Sequence, residues 1–425
     1  MRRLTTPALL ALLALAAPAA AAAAPGVQFG LQDDAWLTAG PGPTSVGGRV
    51  AVLKRLGVKI VRFNLRWDAV AARRPARPTS PADPAYDWSS ADPLLRALHK
   101  AGIPALLTIV GAPAWTNGGR GPNTAPSSPS AIAGFARAAA HRYPWVRKWA
   151  IWNEPNSTVF LRPVSPQVYV QRLLNPAYAA LHATLRGIQV AGGVTAPRAN
   201  SGLSPLAWVK GMGAAHARLD AYGHNPYPGS PLETPFGPRC PTCNAVTMAN
   251  LETLIRAVNT AFGRKPIWIT EYGYQTRPQD PYFGVPYARQ ALFVGEAALR
   301  AYLMPQVALM IQFLFRDEPE VGGWQSGFQT VTGRTKPSFD AFRLPLAQMS
   351  RHGSTTVVWG QVRPRSGAQP YVLQELRGSR WTALGGAART NAAGILVRTL
   401  RAGRGTQLRL YSPRDRAYSH TLAVT

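Results

Sequence analysis

The chain has 425 residues, 46% of them hydrophobic and 12 of them Trp, enough for a large core and for more than one ordinary core's worth of chain. Forty-seven basic residues against 19 acidic ones give a formal charge of +28. No run of five or six basic residues occurs, so the charge is dispersed and does not form a nucleic-acid-binding arm.

At the N-terminus, Arg2 and Arg3 precede an Ala/Leu run from Ala8 to Ala17, followed by small residues from Ala20 to Ala24. This is the pattern of a secretory signal peptide over residues 1–24, too short and too weakly apolar to span a bilayer; an uncleaved anchor is the alternative. No later stretch of 18 apolar residues follows, and the mature protein is expected outside the cytoplasm, secreted or at the cell envelope.

Beyond residue 25, strand-like apolar runs alternate with helix-like amphipathic segments. The strands are expected at Val27–Gln32, Lys59–Asn64, Ala105–Val110, Lys148–Trp152, Gln189–Gly193, Leu219–Gly223, Pro266–Thr270 and Val307–Phe313. Helices are expected at Ala91–Ala101, Ser130–Tyr143, Pro166–Arg186, Val246–Phe262 and Val285–Met304, several opened by Ser, Asp or Pro. Eight such units predict an α/β fold, a closed (β/α)8 TIM barrel over residues 25–351, with Lys336–Met349 as its closing helix. No Gly-rich phosphate loop follows the first strand, which argues against an open dinucleotide-binding sheet.

After Arg351 the texture becomes short β-type runs separated by Gly, Asn and Pro, predicting a small all-β sandwich-like domain over residues 352–425. This region holds eleven Arg, no Lys and two acids, formally +9, a charge suited to anionic cell-envelope polymers; a structural appendage packed on the barrel is the alternative. The two cysteines, Cys240 and Cys243, sit in a Pro- and Gly-rich stretch, where a loop-stapling disulfide is expected. A zinc site would need a second ligand pair nearby, so no metal or other cofactor is expected.

Two segments carry the chemistry: Trp152-Asn153-Glu154-Pro155-Asn156 and Ile269-Thr270-Glu271-Tyr272-Gly273, whose Glu residues are 117 positions apart. Each Glu follows a short apolar run, at the mouths of the fourth and seventh strands, the end of a (β/α)8 barrel where active sites lie. Two carboxylates facing each other across a sugar form the machinery of a glycosidase; in a retaining enzyme they stand about 5 to 5.5 Å apart.

These motifs resemble the signatures of clan A glycoside hydrolases, especially the cellulase-like family five and the xylosidase-like family thirty-nine, over roughly residues 27–350. The resemblance implies that Glu154 is the acid/base, Glu271 the nucleophile, Asn153 the partner of the sugar 2-hydroxyl, and Arg62 the support of the nucleophile. Tyr227, in His224-Asn225-Pro226-Tyr227-Pro228, matches a tyrosine that hydrogen-bonds the nucleophile; Asn225 stands where a histidine is often found, with His224 one place early. Clan members commonly carry a Trp near the end of strand eight, where this chain has Phe313 and Phe315.

Trp115, Trp67 and Trp324 follow strand ends and are candidate sugar-stacking platforms, or else core residues. Asp33 and Asp34 are placed to cap the next segment or to bind sugar hydroxyls. Asn156-Ser157-Thr158 matches a glycosylation sequon, read as coincidence beside a catalytic loop. The sequence therefore predicts a secreted, monomeric retaining hydrolase of β-glycosidic bonds in an oligo- or polysaccharide. The alternative is a non-catalytic carbohydrate- or envelope-binding protein on the same barrel.

Overall fold

The computed structural model describes residues 26–40, 42–199, 201–238 and 244–425. The expected signal peptide and the Cys240–Cys243 pair lie outside the described residues. No described helix is long and apolar enough to cross a membrane.

Eight parallel strands close into a barrel: β1 (Gln28–Gln32), β2 (Ile60–Arg66), β3 (Ala105–Val110), β4 (Lys148–Ile151), β5 (Gln189–Thr195), β6 (Ala221–His224), β7 (Ile267–Tyr272) and β8 (Val307–Phe313). Closure is made by β1, which pairs with β2 on one side and with β8 on the other. Side chains alternate along each strand. Ile60, Leu106, Ala150, Ala191, Trp268 and Leu309 fill the lower interior as an apolar plug. Two residues further along β2 and β3, the same inward face carries Arg62 and Thr108, so the polar layer rests on that plug.

The outer faces of the strands are sealed by helices, several started by side-chain caps: Ser45 before Val46–Leu56, Ser128 before Pro129–Arg142 and Ser204 before Pro205–Ala214. The expected helix Pro166–Arg186 is interrupted. It runs as Pro166–Tyr169, a wider π turn at Val170–Leu174, and Asn175–Thr184. Pro176 lacks the N–H that a continuous helix would use, and the π turn absorbs the missing bond.

The expected closing helix Lys336–Met349 is cut short. Only Ser338–Arg343 is helical, because Pro345 drives the preceding residue out of helical backbone. From Leu346 the chain is already the first strand of the all-β region, ahead of the boundary expected after residue 351. That region comprises β9 (Leu346–His352), β10 (Thr355–Gln361), β11 (Pro370–Arg377), β12 (Arg380–Ala383), β13 (Ala388–Arg389), β14 (Ile395–Arg401), β15 (Gln407–Ser412), β16 (Ala417–Tyr418) and β17 (Leu422–Ala423). The strands form a three-stranded sheet, β14-β10-β9, and a six-stranded sheet built on β12-β11-β15-β16. Between them lies an apolar core that includes Leu346, Val358, Leu373, Leu396, Leu408 and Leu410.

The β region is fastened to the barrel by Arg363, whose buried guanidinium lies 3.6 Å from the ring centre of Phe29 and donates to the Phe342 carbonyl at 2.7 Å. Gly57, the left-handed cap of Val46–Leu56 (φ 76°), backs against the same segment; a Cβ there would lie 2.4 Å from the Arg363 carbonyl carbon. Gly57→Ala is expected to lower the unfolding free energy by about 2 to 4 kcal/mol, through left-handed strain plus overpacking, read as a fall in urea midpoint.

Candidate active site

Arg62 is the centre of the polar layer. It is fully buried and uses its guanidinium on three strands and one strand exit. Nε donates to Thr108 Oγ1 of β3 at 2.9 Å, and Nη1 to Gln32 Oε1 of β1 at 2.7 Å and to the Thr270 carbonyl of β7 at 3.1 Å. Nη1 also forms a close ion pair with Glu271 Oε1. Nη2 donates to Asn153 Oδ1, just past β4, at 2.9 Å. A buried cation with one carboxylate and several oriented acceptors is the arrangement in which burial of charge is tolerable.

Glu271 reaches this cation because β7 departs from regular pairing: its register with β8 shifts between Ile269 and Tyr272. Both Thr270 and Glu271 thereby serve the interior. The second Glu271 oxygen, Oε2, accepts the Tyr227 hydroxyl at 3.1 Å. Burial, and next the charge of Glu271, push the Tyr227 phenol well above its ordinary range, so it stays a proton donor.

Glu154 stands in a different environment. Its backbone is left-handed (φ 43°), as is that of Trp152 (φ 69°), a strained conformation held by the Glu154 N–H bond to the Val194 carbonyl at 2.8 Å. No cation pairs with its side chain among the described residues; Oε1 accepts from Asn225 Nδ2 at 2.9 Å. The Asn225 amide is oriented by Thr270 Oγ1, which donates to Asn225 Oδ1 at 2.6 Å. With Oε1 accepting, the carboxylic proton belongs on Oε2. Burial, followed by the negative charge of Glu271, raises the Glu154 pKa to about 7, against the opposing effect of Asn225.

Asn153 links the two carboxylates. Its Oδ1 accepts from Arg62 and, at 3.4 Å, from Asn225, which leaves Nδ2 without a protein acceptor among the described residues and free for a ligand oxygen. A cleft of about 250 Å³ opens beside it, lined by Asn64, Arg66, Asn123, Asn153, Val159 and Phe160. Trp324 is half-buried, 4.5 Å from Tyr227 and edge-on to Phe313 at 5.6 Å, so an aromatic wall stands on the Glu271 side. Phe313, in the place of the expected strand-eight Trp, belongs to this wall, whereas Phe315 is buried against Trp36.

Two expected contacts are corrected. His224 is fully buried with both ring nitrogens occupied, Nε2–H by the Val246 carbonyl at 3.0 Å and Nδ1 by Thr195 Oγ1 at 2.8 Å. Burial lowers its pKa to about 4, so it is a neutral structural histidine that braces β5 against β6. Trp67 is also fully buried, stacked on Phe135 at 5.7 Å behind the barrel wall, and no sugar reaches it. Trp115, half-buried, packs edge-on to Trp67 at 6.3 Å, with its indole N–H on the Ala71 carbonyl at 2.7 Å.

Asp33 caps the following helix through the Trp36 N–H and also accepts from the N–H groups of Phe315 and Arg316. Asp34, at the same mouth, accepts the Asn64 N–H at 3.2 Å, and burial raises its pKa to about 6. Asn156 is buried and oriented by the Ala196 N–H and the Leu203 carbonyl, which closes the sequon to modification in the folded chain. Gln32, Thr108 and Thr270 escaped the sequence reading. Their only signal was a polar residue on the inward parity of an otherwise apolar strand.

No family model and no curated protein matches the chain in sequence. Solved structures match its fold. A family 39 glycoside hydrolase from the gut symbiont Bacteroides cellulosilyticus has a TM-score of 0.59 at 16% identity, covering 91% of this chain and 80% of that one. A glucosidase from Croceicoccus marinus has a TM-score of 0.60 at 13% identity, covering 91% and 97%. A monomeric beta-xylosidase from Caulobacter crescentus has 0.56 at 15%, covering 91% and 96%. At these identities the shared property is the barrel with its β appendage.

Removing the central cation should expose its structural role. Arg62→Met is expected to cost about 3 to 5 kcal/mol of unfolding free energy, because it leaves Glu271 buried and unpaired. Glu271→Gln in the same background should recover part of that loss, a coupling measurable by denaturant titration of all four variants.

Proposed function

We propose that the chain is a secreted retaining glycoside hydrolase that cleaves β-glycosidic bonds in an oligo- or polysaccharide by double displacement, acting as a monomer. The observation that carries this reading is the inequality of two carboxylates in one hydrogen-bonded cluster. Glu271 is held by a guanidinium and a phenol, while Glu154 has no cation and a pKa raised to about 7. Environments that differ in this way divide two carboxyl groups into nucleophile and proton donor. The fold neighbours named as a glucosidase and a beta-xylosidase support the same substrate class. The leader-like residues 1–24 support export.

In the first step a Glu271 oxygen attacks the anomeric carbon while Glu154 Oε2 delivers its proton to the departing glycosidic oxygen. The Tyr227 hydroxyl and Arg62 hold the attacking carboxylate in position. The Asn153 Nδ2 group is free to donate to the hydroxyl beside the anomeric carbon. Ester formation removes the negative charge of Glu271, and with it one cause of the raised Glu154 pKa. Glu154, now a carboxylate, takes a proton from water as that water attacks the anomeric carbon, and Glu271 leaves. Two inversions return the β configuration.

Three outcomes test this reading. Glu271→Gln should cut kcat on aryl β-glycosides by about 10³-fold or more, and proton NMR of the wild-type reaction should show the β anomer of the sugar first. A wild-type enzyme inactive on every aryl glycoside and polysaccharide offered, or an α first product, would overturn it. Glu154→Gln should lose about 10²- to 10⁴-fold on poor leaving groups and far less on dinitrophenyl glycosides, with azide restoring turnover as the β-glycosyl azide.

The pH profile follows from the sign of the Glu154 shift. Its proton must be present in the first step, so kcat/KM should fall as pH rises through about 7. Removing the charge at Glu271 should move the Glu154 titration to lower pH, readable by ¹³C NMR of labelled glutamate in the Glu271→Gln variant.

A further inference from the structure

The outer face of the six-stranded sheet carries a row of stacked side chains that the barrel chemistry does not use. Leu373, Leu408 and Leu410 of this sheet point into the β core, so their neighbours Gln374, Arg409 and Tyr411 point outward. Trp381 of β12 and Tyr418 of β16 complete the row, placed by the pairings Leu376↔Trp381, Gln374↔Arg409 and Tyr411↔Tyr418. The Arg409 guanidinium lies 4.2 Å from the Trp381 ring centre and 3.9 Å from that of Tyr418, which in turn stacks on Tyr411 at 4.7 Å. Across four strands the row spans roughly 14 Å.

The guanidinium is fixed. Arg409 Nε donates to Gln374 Oε1 at 2.7 Å, and neither terminal nitrogen has a protein partner among the described residues. A planar fork clamped between rings, with free N–H groups along one edge, matches a carboxylate, and the half-buried Trp381 ring, which meets Arg409 on one face and no other aromatic side chain among the described residues, matches the apolar face of a sugar. The charge around it has the right sign. Residues 352–425 hold eleven Arg and two acids, and both acids are already paired, Glu375 with Arg377 and Asp415 with Arg365.

We propose that this face is a second, non-catalytic binding site for a uronic-acid-bearing polysaccharide, with Arg409 gripping a carboxylate and Trp381 stacking on the ring that carries it. The site is independent of the barrel's chemistry. The test measures binding of the full chain, as Glu271→Gln so that no probe is consumed, to polygalacturonate and to polyglutamate, an acidic polymer without sugar rings.

Arg409→Gln and Arg409→Lys should each weaken polygalacturonate binding by about tenfold or more, since lysine keeps the charge and loses the fork. Arg398→Gln, an exposed arginine on β14 of the other sheet, should change it by less than about twofold. Unaltered thermal unfolding of each variant would confirm that the sheet is intact. Full binding by Arg409→Lys, an equal loss with Arg398→Gln, equally tight binding of polyglutamate, or no binding of polygalacturonate by the parent would each overturn the inference.

Discussion

A guanidinium buried in the middle of a barrel is costly unless nearly every one of its N–H groups meets an acceptor, and Arg62 meets this condition only because four separate chain segments converge on it. Gln32, Thr108, Asn153, Thr270 and Glu271 each supply an oxygen. None of these contacts can form until β1, β3, β4 and β7 are in register around β2. The ion pair is therefore a check on closure as much as a feature of the site. It also sets the asymmetry on which the proposed chemistry depends, by giving one carboxylate a cation and leaving the other to burial and a neighbouring negative charge.

Around that pair the polar side chains form one connected network with few free choices. Thr270 orients Asn225, Asn225 bonds Glu154 and approaches Asn153, and Asn153 accepts from Arg62. Such a chain of bonds assigns donors and acceptors without ambiguity, and the functional atoms left over are the Glu154 oxygen Oε2 and the Asn153 amide nitrogen. The strained backbone at Trp152 and Glu154 is the local cost of aiming these groups inward from the end of a short strand.

The same charge surplus serves differently in the two parts of the chain. In the barrel the central arginine is neutralised and hidden, whereas in the β region most arginines face solvent, and one is held flat by aromatic rings on an open sheet face. The proposed hydrolase site and the proposed polymer-gripping surface together describe an enzyme of extended, acidic polysaccharide, the barrel cutting where the appendage holds.

Much of this was legible in the residues alone. Apolar runs alternating with amphipathic segments fix eight strands and their order, because a strand buried on both faces must be apolar throughout, and each of the eight expected runs overlaps a barrel strand. The positions of Glu154 and Glu271 at strand mouths followed from that order. What only the folded chain decided is which polar neighbours point inward and what they touch. Trp67 and His224 stand one or two residues from strand ends, as real ligands would, yet barrel twist and helix packing enclose both. Gln32 and Thr270 look ordinary in sequence but become partners of Arg62 and Asn225. Linear order encodes the period of burial, a local property; the donor–acceptor pairing of remote strands depends on register and closure, which exist only once the barrel is shut.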